Sequence, residues 1–233
     1  MKLLKVIGIP MLAVCVLGMT GCSSMTNTGK GALIGGGGGA GLGAGIGALI
    51  GGGKGAAIGA AIGAAVGTGA GVLIGKKMDK QQAELEAELA KQAQIEKTTD
   101  ANGLQAIKVT FNGGILFPTN GTTLSASAKT DLTKFAASLM QNPDTNVQIY
   151  GFTDDTGTLA VNQRVSTGRA DAVRNYLLNS GVAASRLSAE GLPMQDYVAS
   201  NATPEGRAQN RRVEIFITAN QQMIDAANNG TLQ

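Results

Sequence analysis

Residues 149–173 read IYGFTDDTGTLAVNQRVSTGRADAV, and the order strand, acidic loop, helix in this stretch decides the fold. Val147 and Ile149 mark a short strand-like run that ends in Gly151. Thr153, Asp154, Asp155, Thr156 and Gly157 are turn formers, and a helix signal then runs on to Tyr176 and Leu177 before a stop at Gly181. On a wheel of about 100° per residue, Val161, Val165, Ala172, Val173, Tyr176 and Leu177 share one apolar arc. Arg169 and Asn162 fall in the middle of that arc, while Arg164, Thr167, Asp171 and Arg174 fall opposite. A guanidinium in a core-facing stripe is costly unless it is paired. Either Arg169 meets the loop Asp154 or a ligand, or Asp154 only turns the loop and Arg169 snorkels to water.

The run GFTDDTG, then Asn162 to Ser166, Arg169-Ala170 and Val173, and later Gly206 with Asn210-Arg211-Arg212-Val213, resembles the OmpA-like C-terminal domain. That family is the peptidoglycan-binding module of outer membrane protein A, of the peptidoglycan-associated lipoprotein and of flagellar stator proteins. The resemblance covers residues 107–217. It implies that Asp154 and Arg169 hold the diaminopimelate of the wall's stem peptide, with Asn162 and Arg212 as further ligand-binding positions. Asn162, Arg211 and Arg212 read equally well as packing and strand-capping residues. Two positions depart from the family pattern: Phe152 stands where His is usual, and Pro118 where an Asp often follows the first strand's Phe.

Composition limits the remaining chemistry. The 233 residues include 35 Gly, 3% aromatics and no Trp, which is unusual for a fully globular chain. A net charge of +3, without clustering of Lys and Arg on one predicted helix face, points away from nucleic acid. The chain has no His, which removes the commonest metal ligand and general base. Cys15 and Cys22 are too few for a zinc site or a disulfide framework. Ser166 has no histidine partner, and the adjacent Asp154 and Asp155 rarely point at one substrate atom together. No catalytic residue, metal or cofactor is therefore expected, and the protein reads as a non-enzyme.

The N-terminus carries Lys2 and Lys5, an apolar run from Val6 to Leu17, and Met19-Thr20-Gly21-Cys22. This is a secretory leader over residues 1–21. Its last four residues resemble a bacterial lipobox, in which Cys22 becomes the lipidated first residue of a tether over 22–30. Ser23 instead of Asp implies the outer membrane by the sorting rule of that class. From Gly31 to Gly75, glycine recurs every fourth residue, and Lys54 is the one charge inside the run. Lys30, Lys54 and Lys76 bracket uncharged segments of 23 and 21 residues, each about 30 Å long as a helix. Small-xxx-small spacing lets backbones approach closely. Residues 31–75 thus read either as a helical hairpin turning at Gly51-Gly52-Gly53-Lys54, resembling glycine-zipper segments of bacterial surface lipoproteins, or as a flexible linker. Gly36, Gly38 and Gly41 match a dinucleotide fingerprint only because the run is so rich in glycine.

Residues 76–103 read as a solvated helical linker, since Lys76 to Lys97 is rich in Gln, Ala, Glu and Lys, with Thr98 to Gly103 as its break. Over 104–219 strands and helices alternate. Ile107, Val109 and Phe111 form a half-buried strand that Asn112-Gly113-Gly114 turns into Ile115-Leu116-Phe117. Ser125 caps a helix with an apolar face at Leu132, Phe135, Ala136, Leu139 and Met140. Leu187 to Gly191 is a short strand, Thr203-Pro204 starts a helical turn, and Val213, Ile215 and Ile217 alternate as the last strand. The expected fold is an α/β (α+β) sandwich of OmpA-like βαβαββ order, a mixed sheet covered on one face by two main helices, with a loose or helical tail over 220–233. Two functions compete. One is a lipoprotein in the outer membrane, held by acyl chains on Cys22, whose periplasmic domain binds peptidoglycan and tethers the membrane to the wall. The other is a membrane protein whose glycine zipper self-associates into homo-oligomers, with the wall domain only positioning it.

Overall fold

The computed structural model describes residues 68–89, 91–100, 102–118 and 121–232. The leader, Cys22, the proposed hairpin tip and the glycine repeat up to residue 67 lie outside the described residues. The chain runs α1 (Thr68–Leu89), β1 (Ala93–Thr99), β2 (Gln105–Asn112), the single turn α2 (Gly113–Leu116), α3 (Ala126–Gln141) and β3 (Thr145–Phe152). It continues through α4 (Leu159–Asn179), a 3-10 turn (Ala184–Arg186), β4 (Leu187–Leu192), α5 (Pro204–Asn210), β5 (Arg212–Ala219) and α6 (Gln221–Asn228).

The strands form one mixed sheet in the order β1-β2-β5-β3-β4. β3 and β4 are parallel, joined by the α4 crossover, and β5 inserts antiparallel between β2 and β3. Period-two alternation sorts the side chains. Val213, Ile215 and Ile217 of β5 enter the main core with Ile107, Val109 and Phe111 of β2 and with Leu132, Phe135 and Leu139 of α3. Phe111 and Phe135 meet edge-on with ring centroids 6.3 Å apart. The alternate residue Phe216 faces the other way, into a smaller cluster with Tyr150, Phe152 and Leu192. β5 is consequently buried along its whole length. The expected mixed sheet with helices over one face is the fold observed.

Ser125 caps α3 as expected, its Oγ accepting from the Ala128 N–H at 3.0 Å. The far end of α3 is closed by Arg186. Its Nη1 donates to the Leu139 carbonyl at 2.9 Å, its Nη2 to the Asn142 carbonyl at 2.9 Å and its Nε to the Thr145 carbonyl at 2.6 Å. One guanidinium fork thus serves carbonyls that a helix end leaves open.

Three segments differ from their sequence reading. The helix expected to begin at Lys76 is already formed at Thr68, where the described residues start, passes through Gly71 and Gly75, and is packed rather than solvated. Ile74, Met78, Leu85 and Leu89 share one face at helical spacing, and each is fully buried. Lys77 Nζ reaches Asp144 at 2.7 Å, and Asp79 binds both Lys97 and Gln105. The linker also ends early, because Ala93–Thr99 forms a strand pairing antiparallel with β2 from Ala93 opposite Phe111 to Thr99 opposite Gln105. Pairing along the open edge of β2 outweighs the intrinsic helical preference of Gln, Glu and Lys there, which tertiary context readily overrides. Finally, Asn112-Gly113-Gly114 opens no second strand. The Asn112 side chain accepts from the Gly114 N–H at 2.9 Å and caps the turn α2. The tail is helical and packed, α6 burying Met223, Ile224 and Ala227.

Candidate functional site

The site lies where β3 ends and α4 begins. Gly151 lets the helix rest directly on the strand, for a Cβ there would stand 2.2 Å from the Ser166 carbonyl oxygen. Gly191 of β4 is as tight, a Cβ falling 2.3 Å from the Thr167 nitrogen. This approach sets which face of α4 is covered. Asn162, Ser166, Arg169, Ala170, Val173 and Leu177 are buried, whereas Val161, expected on the apolar arc, is 44% exposed.

The loop between β3 and α4 is braced from within. Asp154 Oδ1 accepts from the Thr156 N–H at 2.9 Å, and Gly157 adopts φ +91°, a left-handed conformation that glycine takes without strain. Asn162 Nδ2 donates to the Thr156 carbonyl at 2.8 Å and to the Thr158 carbonyl at 3.2 Å. Asn162 therefore shapes the loop. Thr153 Oγ1 accepts from the Met194 N–H at 3.1 Å and ties this loop to the one after β4.

Asp154 is buried, and its Oδ2 accepts from Arg211 Nη1 at 2.6 Å. Burial pushes its carboxyl up, but the Thr156 N–H, the Arg211 hydrogen bond and the Arg211 charge outweigh that and hold it below the usual carboxylate range. Asp154 is an anion at neutral pH.

Arg169 is 4% exposed, so it does not snorkel. Its Nε donates to the Gly121 carbonyl at 3.0 Å, and its guanidinium lies over the Phe117 ring at 5.3 Å. Burial and the nearby Arg211 charge lower its pKa, while Asp154 opposes them. It remains a cation, since a guanidinium does not deprotonate in proteins. Its Nη1 is buried without a hydrogen-bond partner among the described residues. The direct Asp154–Arg169 pair suggested by the wheel is thus replaced by Asp154–Arg211, and Arg169 keeps an open N–H.

Arg212 belongs elsewhere. Its Nε donates to Glu214 Oε1 at 2.6 Å, its Nη2 to the Asp196 carbonyl at 2.9 Å, and its guanidinium stacks 3.9 Å from the Phe152 ring centroid. These partners hold Arg212 within the protein, on the face of the sheet away from Asp154 and Arg169. Successive strand residues face opposite ways, and Arg212 shares the parity of Glu214 and Phe216. Arg211 has the parity of Val213, and it is the residue that reaches the acidic loop. That alternation was the signal by which sequence reasoning could have chosen between the two arginines.

The loop after β4 forms the rim. Met194 and Asp196 both hold φ 52°, and buried Asn210 secures the segment by accepting from the Val198 and Ala199 N–H groups at 2.8 and 3.0 Å. Tyr197 on this loop is 42% exposed. Burial, then the charges of Asp155 and Asp154, raise its phenol's pKa. One buried carboxylate, one buried guanidinium with an open N–H and a half-exposed second guanidinium can together hold a small ligand bearing both signs of charge.

Residues 116–211 match the OmpA family, and residues 1–79 match the YMGG-like Gly-zipper. The chain is 42% identical to "Probable lipoprotein YiaD" of Escherichia coli K12 over 104 residues, 45% of this chain and 48% of that protein. It is 42% identical to "Peptidoglycan-binding protein ArfA" of Mycobacterium tuberculosis over 112 residues, 48% of this chain and 34% of ArfA. The chain thus spans about half the length of the first relative and a third of the second. Among solved structures, the cell wall anchor of the T6SS from Pseudomonas aeruginosa aligns with a TM-score of 0.51 at 29% identity, over 61% of this chain and 96% of that one.

Proposed function

We infer that the OmpA-like domain of this chain binds peptidoglycan without catalysis, by gripping the side-chain end of diaminopimelate between Asp154 and Arg169. The observation that carries the reading is the buried Arg169 guanidinium, 4% exposed, with an Nη1 that has no hydrogen-bond partner among the described residues. A buried cationic N–H left open is costly, and an anionic ligand group removes the cost. Diaminopimelate presents one ammonium and one carboxylate at its side-chain end. Asp154 takes the ammonium and Arg169 the carboxylate, through charge-assisted hydrogen bonds. The likeness to ArfA, a peptidoglycan-binding protein, and to the cell wall anchor of the T6SS supports the same class of ligand. With acyl chains on Cys22, the protein would sit on the periplasmic side of the outer membrane and tether it to the wall. The match of residues 1–79 to a glycine zipper favours a second reading, self-association through residues 31–75.

Sedimentation of the full chain with purified sacculi tests the site. Removing one member of a buried charged contact costs about 2–5 kcal/mol, or roughly 30-fold to several thousandfold in affinity. Asp154→Ala and Arg169→Ala are expected to lose binding to that extent. Arg174→Ala, on α4 with its Nη1 on the neighbouring Asn175, is expected to bind as the wild type does. Folded Asp154→Ala or Arg169→Ala protein that sediments normally would refute the site.

A further inference from the structure

Two guanidiniums, Arg169 and Arg211, share the one buried carboxylate of Asp154, while Asp155 lies on the exposed part of the loop. Asp154 is the carboxylate in contact with Arg211, and the charges of both act on Arg169. A ligand with one ammonium and one carboxylate would satisfy Asp154 and Arg169, and its ammonium would compete with Arg211 for Asp154 Oδ2, the oxygen that the Thr156 N–H leaves free. Arg211 is built for such an exchange. Its backbone is fixed, the carbonyl accepting from the Gly113 N–H at 2.7 Å and lying 2.4 Å from where a Gly113 Cβ would stand. Its side chain is 39% exposed. Among the described residues, its recorded side-chain hydrogen bond is the one to Asp154.

Once an ammonium occupies Asp154, the freed guanidinium faces the like charge of Arg169 and needs another anion. Resting on the diaminopimelate reading above, we propose that Arg211 binds a second carboxylate of the same ligand, the free α-carboxylate of the γ-linked glutamate next to the diamino acid in a stem peptide. The fork of Arg211 matches a carboxylate, whereas the amide of an amidated stem is neutral and sets two N–H donors against the guanidinium's own. The site therefore distinguishes stem peptides with this carboxylate free from those in which it is amidated.

The test is calorimetric titration of the full chain with two tripeptides, L-Ala-γ-D-Glu-diaminopimelate and its counterpart with that glutamate α-carboxyl amidated. Wild type is expected to bind the free acid at least about tenfold more tightly, the usual weight of one charge-assisted hydrogen bond. Arg211→Ala should bind both peptides alike. It should bind the amidated one no worse than wild type does, because Asp154 no longer has to give up a partner. Arg211→Lys keeps a cation beside Asp154 and should retain part of the preference, which separates charge reading from a folding defect. Equal binding of both peptides by wild type, or an undiminished preference in Arg211→Ala, overturns the second-carboxylate assignment and leaves the diaminopimelate site standing. Binding of neither peptide by wild type overturns both.

Discussion

Arg211 and Arg212 are adjacent in sequence and serve opposite faces of the sheet, so one arginine pair carries two unrelated tasks. Arg212 donates to Glu214 at 2.6 Å, and both side chains are nearly sealed, at 5% and 8% exposure. Truncating Arg212 leaves the Glu214 carboxylate buried without its countercharge and strips Phe152 of the stacked guanidinium. Breaking a buried pair from one side costs about 3–5 kcal/mol. Arg212→Ala is therefore expected to lower the urea midpoint sharply, while the folded fraction still sediments with sacculi. Normal stability together with lost sedimentation would show that Arg212 acts as a ligand residue. The loop position of Asp154 and the core-facing position of Arg169 were legible in the sequence, because the turn formers and the helical periodicity fix both places. The partners of Arg169 were not, since Gly121 lies 48 positions earlier and only the closed fold brings its carbonyl to the guanidinium.

The α4 element shows why the wheel was partly misleading. Apolar content placed Val161 inside, yet the helix is pressed onto backbone at Gly151 and Gly191, and its covered face starts with Asn162 and Ser166 instead. A face that meets strand backbone at such close range selects small and polar side chains, a preference that hydrophobic periodicity cannot register. The consequence is measurable. Gly151→Ala must push α4 from β3, because its Cβ would stand 2.2 Å from a carbonyl oxygen, and forced overpacking costs about 1–3 kcal/mol or more. Gly69→Ala, at an exposed position of α1 with nothing within 4 Å, should stabilise by up to about 1 kcal/mol through helix propensity. Thermal unfolding of the two variants in the full chain checks the contrast. A shift of the same sign in both would mean that the strand–helix contact is looser than these distances require.

Across the whole domain, the order of strands and helices from β2 to β5 was readable because each strand alternates and each main helix has its own cap and stop. What precedes β2 was not, for a physical reason. The helix formers of residues 76–97 describe an isolated peptide, whereas β1 is specified by the unpaired edge of β2, and α1 by the apolar surface beside α3 and α6. α1 in turn carries part of the core. Ile74, Met78, Leu85 and Leu89 are each fully buried, and burying such a side chain contributes about 1.5–3 kcal/mol. Their sum is comparable to the roughly 5–15 kcal/mol by which a domain is stable. A chain shortened to begin at residue 68 keeps these contacts and should unfold in one cooperative urea transition. A chain shortened to begin at residue 100 loses them, bares the β2 edge at Ile107, Val109 and Phe111, and should show no cooperative transition and associate through that edge. If both unfold at the same urea concentration, residues 68–99 are the spacer that their composition describes. If only the longer chain folds, Gly71 and Gly75, the last glycines of the repeat, belong to a helix of the folded domain, and residues 76–99 are no free spacer.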